Sequence, residues 1–203
     1  MADSRRTVIP LMLLGDGQVG KTSLTKRLTG NVFEDSQLTT IGKESYLYLT
    51  QLHGYDVKMK IWDTAGQERF KSMSVNVIKN VEGLILTYSI ASRESFQNLD
   101  NWLKQLNDAD DLSKKPIIIV GNKSDLEASR EVSKDEGKQF ADSHGYHFFE
   151  TSAKTAENVK EAFDDIFEQL YKLFEDEITG KKENRIKIEP NNDKKKKKAC
   201  CAN

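Results

Sequence analysis

One segment near the N-terminus combines glycines, a lysine and hydroxyl side chains at the spacing G-x-x-x-x-G-K-[S/T]. It consists of Gly15, Asp16, Gly17, Gln18, Val19, Gly20, Lys21, Thr22 and the adjoining Ser23. Glycines allow a backbone to fold around a polyphosphate, so that successive N–H groups and the start of the next helix point at the anion. In such a loop Lys21 contacts the β- and γ-phosphates, and the Thr22 hydroxyl binds Mg²⁺. We therefore predict a nucleotide-binding phosphate loop (residues 15–22), and the motif alone leaves ATP and GTP equally possible.

Two later segments indicate which base is bound. The first base loop holds Asn122, Lys123, Ser124 and Asp125, and the second base loop holds Ser152, Ala153 and Lys154. A carboxylate such as Asp125 accepts two hydrogen bonds from the N1–H and the exocyclic amine of guanine. Adenine lacks that donor pair, and leaving a buried carboxylate unpaired is costly. The two segments together favour a guanine nucleotide and argue against a P-loop kinase or ATPase.

A third group of residues matches the metal and the attacking water of phosphoryl transfer. Asp63 ends a strand and is placed to hold Mg²⁺ through water, and Gly66 is placed to donate its N–H to the γ-phosphate. Gln67 is the residue we expect to orient the water, so it is the predicted catalytic residue. Thr40 lies in the long loop before the second strand. Asp63 alone is equally consistent with a simple strand end, but its place after a phosphate loop favours a magnesium site.

The elements that must position these loops alternate between short apolar runs and amphipathic segments. Residues 11–14, 84–88 and 117–120 are too apolar for half-exposed strands, and a last strand covers about 147–150. Residues 45–52 and 57–62 alternate like an antiparallel hairpin. We predict an α/β fold: a P-loop NTPase domain with a mostly parallel six-stranded sheet, one antiparallel edge strand and helices on both faces. We expect the first strand to begin at or after Pro10, because proline weakens a central strand.

Two apolar stripes at three- and four-residue spacing predict helices that pack on the sheet. Phe96, Leu99, Trp102, Leu103 and Leu106 form the first stripe, and Val159, Phe163, Ile166, Leu170 and Leu173 form the second. Thr155 or Asn158 is the expected cap of the last helix. Ligands of such sheets bind at the carboxyl ends of the strands, which is where all the loops above lie.

Charge is distributed very unevenly along the 203 residues, although the net charge is only −1. Residues 178–203 carry nine basic and three acidic side chains, so the rest of the chain is acidic, which argues against nucleic-acid binding by the folded part. The segment from 178 lacks apolar periodicity, which predicts a disordered tail after a domain at residues 1–177. The absence of an apolar run near 20 residues, of a signal segment and of a glycine at position 2 leads us to expect a cytoplasmic protein without N-myristoylation. We also expect the chain to be a monomer.

In the order of its motifs the chain resembles a Ras-superfamily small GTPase from Leu11 to about Phe174. Residues 60–70, which are Lys-Ile-Trp-Asp-Thr-Ala-Gly-Gln-Glu-Arg-Phe, are similar to the Rab branch in particular. The resemblance implies that Thr40 binds Mg²⁺ and senses the γ-phosphate. It also implies that Phe33 and Lys123 cover the two faces of guanine, and that the Ala153 backbone binds the guanine carbonyl. At Gly17 the family has no room for a side chain beside Gln67.

The chain departs from the Rab pattern where partners bind. From the switch I threonine onward, Rab proteins usually have Thr-Ile-Gly-Val-Asp-Phe, whereas this chain has Thr-Ile-Gly-Lys-Glu-Ser from Thr40, with Ser45 in place of the phenylalanine. The usual tyrosine pair of switch II is replaced by Val77 and Ile78, so only Trp62 of the family's aromatic effector triad is retained. We expect an intact nucleotide site and an unusual effector surface.

The C-terminus is similar to a Rab-type double-cysteine prenylation signal. Cys200 and Cys201 follow the run Lys194 to Lys198, and the final Asn203 is atypical of a C-a-a-X box. One lipid gives only marginal membrane binding, so two prenyl groups, or one with the lysines, are expected to anchor the chain. A lysine run alone is more often a solvated or nuclear-import segment, and the adjacent cysteines favour the anchor.

Together these features predict a GTP-hydrolysing switch of membrane traffic on the cytosolic face of endomembranes. The expected partners are an exchange factor, a GTPase-activating protein, effectors, a GDP-dissociation inhibitor and a prenyltransferase escort. The main alternative is a pseudo-GTPase that holds nucleotide without turnover, which Gln67 disfavours. A nuclear-transport GTPase is disfavoured by the terminal cysteines.

Overall fold

The computed structural model describes residues 8–30, 43–64 and 78–180. The strands are β1 (Val8–Leu14), β2 (Lys43–Leu52), β3 (Tyr55–Thr64), β4 (Gly83–Ser89), β5 (Ile117–Asn122) and β6 (His147–Thr151). The helices are α1 (Lys21–Leu28), α2 (Arg93–Gln97), α3 (Leu99–Ala109), α4 (Lys134–His144) and α5 (Val159–Ile178), with 3₁₀ turns at Leu112–Lys114 and Ser124–Ser129.

The six strands form one sheet in the order β2-β3-β1-β4-β5-β6. All neighbouring pairs are parallel except β2 and β3, which are antiparallel and place β2 at the edge. His53 and Gly54 join these two strands, and both have positive φ (50° and 85°), as a two-residue hairpin turn requires. The predicted fold class is confirmed.

Apolar layers cover both faces of the sheet. Along β1, Ile9, Leu11 and Leu13 face the layer that contains α1 and α5. Met12 and Leu14 face the layer that contains α3 and α4. Every residue of β4 and of β5 is buried, as expected for strands covered on both sides. The sheet is therefore rigid, and the loops predicted to bind the ligand lie at the carboxyl ends of its strands.

The prediction that β1 begins at or after Pro10 is wrong, since β1 begins at Val8 and pairs with β3 through Pro10. The Pro10 carbonyl accepts a hydrogen bond from the Glu82 N–H at 2.8 Å. The N and the carbonyl of one strand residue face the same side, so the missing N–H faces β4, whose pairing with β1 starts only at Leu11. The proline therefore costs the sheet no ladder hydrogen bond.

The helix predicted from the Phe96 to Leu106 stripe is interrupted at Asn98, where α2 ends and α3 begins. Asn98 has a ψ of −10°, well away from the −42° of a regular α-helix. The stripe is otherwise buried as expected, with Leu99, Trp102, Leu103 and Leu106 in the core.

The last helix also differs from the prediction at both ends. Asn158 occupies the cap position, but its side chain donates to the Glu150 carbonyl instead of capping the helix. Leu173 of the predicted stripe is 49% exposed, the backbone leaves helical values at Phe174, and Ile178 is buried. The helix ends at Ile178, one residue past the expected domain boundary, and residues 181–203 of the predicted tail lie outside the described residues. Within the described ranges no helix is long and apolar enough to span a bilayer.

The close approach of β4 and β5 generates a stability prediction. A Cβ at Gly121 would lie 2.7 Å from the Tyr88 hydroxyl oxygen, and Tyr88 is opposite Gly121 in the sheet. We expect Gly121→Ala to lower the free energy of unfolding by about 1–3 kcal/mol, because overpacked cores resist added carbons. Urea unfolding measures this change.

The matched variant is Tyr88→Phe, since the buried Tyr88 hydroxyl has no hydrogen-bond partner among the described residues. Alone it should leave stability unchanged or higher, and combined with Gly121→Ala it should recover part of the loss. Full additivity of the two substitutions would contradict the contact.

Candidate nucleotide-binding site

The predicted binding loops meet at one edge of the sheet. The phosphate loop follows β1, Asp63 lies near the end of β3, and the two base loops follow β5 and β6. The carboxyl ends of parallel strands lie at the same edge, so residues far apart in the chain become neighbours there. The side-chain contacts described below join these loops directly.

The glycines of the phosphate loop occupy positions that exclude other residues. Gly15 and Gly20 have φ values of 137° and 98°, in the region that side chains disfavour. A Cβ at Gly15 would lie 2.0 Å from the Thr87 carbonyl oxygen, and one at Gly20 would lie 2.3 Å from Asn122 Nδ2. The loop is thus pressed against β4 and β5, and its shape depends on glycine at both ends.

The Lys21 ammonium group lies inside the phosphate loop. Its Nζ donates to the carbonyls of Gly15 and Asp16, both at 2.7 Å, and the residue is 4% exposed. Burial lowers the pKa of Lys21 to about 8, against the attraction of Asp63 and Asp16, which raises it. The loop therefore holds a desolvated cation that an anion would stabilise.

Thr22 and Asp63 form a pair of oxygen ligands. The Thr22 hydroxyl donates to Asp63 Oδ2 at 2.5 Å, although the residues are 41 positions apart in sequence. Asp63 is fully buried, and Thr22 lies in the first turn of α1. A hydroxyl and a carboxylate are the hard ligands that Mg²⁺ prefers, so these residues fit the predicted metal.

The Asn122 side chain connects three loops. Its Nδ2 donates to the Val19 carbonyl of the phosphate loop at 2.8 Å. Its Oδ1 accepts from the Thr151 hydroxyl at 3.2 Å and from the Ala153 N–H at 3.4 Å. Asn122 is 1% exposed, so these hydrogen bonds form away from water. The Asn122 side chain therefore links the first base loop, to which it belongs, to the phosphate loop and to the second base loop.

The carboxylate predicted to recognise guanine is also held. Asp125 is exposed at the surface of the site, and its Oδ1 accepts from the Ser152 hydroxyl at 2.6 Å. Lys123 precedes it in a left-handed conformation (φ 68°), and burial lowers its pKa while Asp125 opposes that shift. The Asp125 carboxylate thus combines a fixed orientation with access from outside.

The remaining predicted residues fall into two groups. Gln18 is exposed with a φ of 63°, Val19 is buried, and Gly17, Ser23 and Lys154 complete the described loops. The predictions for Phe33, Thr40, Gly66, Gln67, Cys200 and Cys201 lie outside the described residues.

Arg27 is a site residue that the sequence motifs do not reveal. Its Nε donates to the Ala153 carbonyl at 2.8 Å and a terminal nitrogen donates to the Lys154 carbonyl at 3.0 Å. These groups are more than 120 residues apart, and a single arginine in the last turn of a short helix carries no local signal of such a contact. Arg27 fixes the second base loop to the helix that starts at the phosphate loop.

Comparison with known proteins agrees with this geometry. The model of a family described as "Ras family" matches residues 10–172. Ras-related protein RGP2 of Oryza sativa subsp. japonica is 42% identical over 173 residues, which cover 85% of this chain and 79% of the relative. Ras-related protein Rab-13 of Bos taurus is 39% identical over 163 residues, covering 80% of each chain, and Rab-13 of Mesocricetus auratus is 38% identical over 166 residues, covering 82% and 81%. The chain therefore belongs to the Ras family and is a small GTPase, an enzyme that hydrolyses GTP and acts as a nucleotide-dependent switch.

Proposed function

We propose that this small GTPase is a Rab-type switch of membrane traffic, whose GTP-bound form recruits effectors to the cytosolic face of an endomembrane. The observation that carries the proposal is that the buried Asn122 side chain joins the phosphate loop to both base loops, beside the Thr22–Asp63 pair. The likeness to relatives named Rab-13 and the double cysteine at the C-terminus favour the Rab branch.

In this proposal the phosphate loop binds the phosphates of GTP or GDP. The backbone N–H groups between Gly15 and Lys21 surround the β-phosphate, and Lys21 exchanges its two carbonyl partners for phosphate oxygens. That exchange neutralises a cation that burial has already destabilised. Asp125 accepts from the guanine edge, Lys123 and Phe33 cover the ring, and the Ala153 backbone binds the carbonyl.

Mg²⁺ is the cofactor that the Thr22 and Asp63 oxygens fit, with Thr40 as the third proposed protein ligand. The metal would supply charge neutralisation between the β- and γ-phosphates. Asp63 accepts from the Thr22 hydroxyl, so the two proposed ligands hold each other in place at the end of the phosphate loop.

Turnover is assigned to residues beyond the described ranges. Gln67 is proposed to orient the attacking water, and Gly66 to contact the γ-phosphate, so that the segments around Thr40 and Gln67 are ordered with GTP and released after hydrolysis. Ras-family membership favours this enzyme over a pseudo-GTPase. Regulators and effectors are general to the family, and we propose an exchange factor, a GTPase-activating protein, a GDP-dissociation inhibitor and a prenyltransferase escort here.

The effector-facing surface supports the expectation of unusual partners. Ser45 is exposed and lies opposite Trp62 in the β2–β3 hairpin, and Lys60 Nζ is 4.3 Å from the centre of a Trp62 ring. Leu47 and Leu49 on the same edge strand are 65% and 70% exposed. We propose that effectors contact aliphatic side chains and a cation-covered tryptophan here, instead of a cluster of three aromatic residues.

The proposed role of Asp125 is tested by changing the base it recognises. Asp125→Asn should weaken GTP binding by roughly 100-fold or more and improve binding of xanthosine triphosphate, because an amide donates to the carbonyl that replaces the amine of guanine. Fluorescent-nucleotide competition measures both affinities. Ser124→Ala is the matched control, since Ser124 contacts only the exposed Glu157 side chain among the described residues. Unchanged GTP preference in Asp125→Asn would assign the base to other residues.

The buried Lys21 predicts a pH dependence of nucleotide binding. The phosphates raise the pKa of Lys21 from about 8, so the complex binds more protons than the free protein. Affinity for GDP should therefore fall as pH rises, by about fivefold between pH 8 and pH 9. Calorimetry in two buffers of different ionisation enthalpy measures the proton uptake. Lys21→Met should bind weakly at every pH with a shallower slope, and a flat wild-type profile would contradict the buried ammonium.

The tail predicts the membrane anchor. Cys200→Ser combined with Cys201→Ser should make an N-terminally tagged protein cytosolic without changing GTP affinity, because the cysteines lie outside the domain that binds the nucleotide. Replacing the lysines of the run 194–198 with glutamines should weaken membrane binding only in part, and more at low salt, since screening acts over about 8 Å in the cell. Membrane flotation with mass spectrometry of the C-terminal peptide is the measurement. Unmodified thiols on the floated protein would eliminate the lipid anchor.

A further inference from the structure

The phosphate loop contains a carboxylate whose place requires an explanation. Asp16 lies directly after Gly15, within the loop proposed to surround a polyphosphate. A negative side chain beside the bound phosphates would repel them, strongly so where water is excluded. The backbone of Asp16 serves the site, because its carbonyl accepts from Lys21 Nζ, so the residue stays in the loop while its carboxylate must face elsewhere.

Two donors from outside the loop hold that carboxylate. Asp16 Oδ2 accepts from Asn98 Nδ2 at 2.7 Å, and Oδ1 accepts from the Trp102 indole N–H at 3.0 Å. Each carboxylate oxygen therefore has its own donor, and both donors belong to one short stretch at the start of α3. Hydrogen bonds to a charged acceptor are stronger than neutral ones, so this pair restrains the side chain effectively.

The donors are themselves fixed. Trp102 is 5% exposed and packs in the apolar layer that covers the α3 face of the sheet. Asn98 is the residue at which α2 ends and α3 begins, so the interruption of the predicted helix coincides with the contact to the loop. The donors lie 82 and 86 residues from Asp16 in sequence, and the start of helix α3 brings both of them next to the Asp16 side chain.

We propose that Asn98 and Trp102 are positioning residues for nucleotide binding, which hold the Asp16 carboxylate on the α3 side of the phosphate loop and away from the phosphates. The inference rests on the proposed nucleotide site and adds to it a structural requirement that no residue of the motifs supplies. It explains how a loop that carries an acid binds an anion. It also makes the start of α3 a determinant of how long GDP remains bound.

The first test removes one donor and keeps the packing. Trp102→Phe retains an aromatic ring but lacks the N–H, and it should release fluorescent GDP about tenfold faster than the wild type in the presence of Mg²⁺. Leu103→Val is the matched control, since the neighbouring Leu103 is also buried in α3 but belongs to the core alone. The control should release GDP at close to the wild-type rate.

The second test exchanges the partners. Asn98→Asp places two carboxylates together and should accelerate GDP release more than Trp102→Phe does. Adding Asp16→Asn to Asn98→Asp restores both hydrogen bonds, because the amide introduced at position 16 donates to the carboxylate introduced at position 98 and still accepts from the indole. The double variant should return to within about threefold of the wild-type rate, which a purely structural defect of α3 would not do.

A comparison of ligands locates the effect at the phosphates. GDP affinity should fall in Trp102→Phe by a larger factor than GMP affinity, since only GDP places a second phosphate in the loop. Equal release rates for the wild type and Trp102→Phe, equal acceleration by Leu103→Val, or failure of the double variant to recover would each overturn the inference. Failure of the wild-type protein to bind GDP would instead overturn the proposed nucleotide site, and with it this inference.

Discussion

The Asn122 side chain is the contact on which the geometry of the site depends. One amide donates to the phosphate loop and accepts from the second base loop, while its own backbone ends β5. Because Asn122 is buried, loss of either partner would leave a polar group unsatisfied, and this penalty keeps the three loops in register. The distance between the phosphate end and the base end of the site is thus set by one side chain attached to a rigid sheet.

The sheet holds the loops that Asn122 links at fixed positions. Strands β4 and β5 are buried along their whole length, and the apolar layers on both faces leave the strand ends little freedom to move. The same rigidity explains the glycines, since Gly15 and Gly20 lie within contact distance of β4 and of Asn122. At these two positions the phosphate loop lies so close to β4 and β5 that there is room for a backbone but not for a side chain. The Lys21 ammonium, held by the Gly15 and Asp16 carbonyls, lies within this loop.

The features that could be predicted from the sequence are those with local signals. Glycine spacing, apolar runs and strand-end carboxylates identified the loops, the sheet and its antiparallel edge, because each depends on residues close together in the chain. The contacts of Arg27, Asn98 and Trp102 with the loops could not be predicted, since they join residues more than 80 positions apart. Pro10 misled the prediction for β1 because its effect depends on which neighbouring strand the missing N–H faces. Local sequence patterns predict helices, strands and loops, whereas the hydrogen bonds that join distant loops are seen only in the folded chain.

The length of helix α1 sets how far apart two of the predicted binding loops lie. Lys21 and Thr22 begin this eight-residue helix at the phosphate end, and Arg27 near its other end holds the Ala153 and Lys154 carbonyls at the base end. The six residue steps from Lys21 to Arg27 span about 9 Å along the axis at 1.5 Å per residue. The helix therefore fixes the distance between the phosphate loop and the second base loop. Removing one residue from it would shorten that distance by about 1.5 Å and turn Arg27 by about 100°, so the length of α1 is constrained even where its exposed side chains are free to vary.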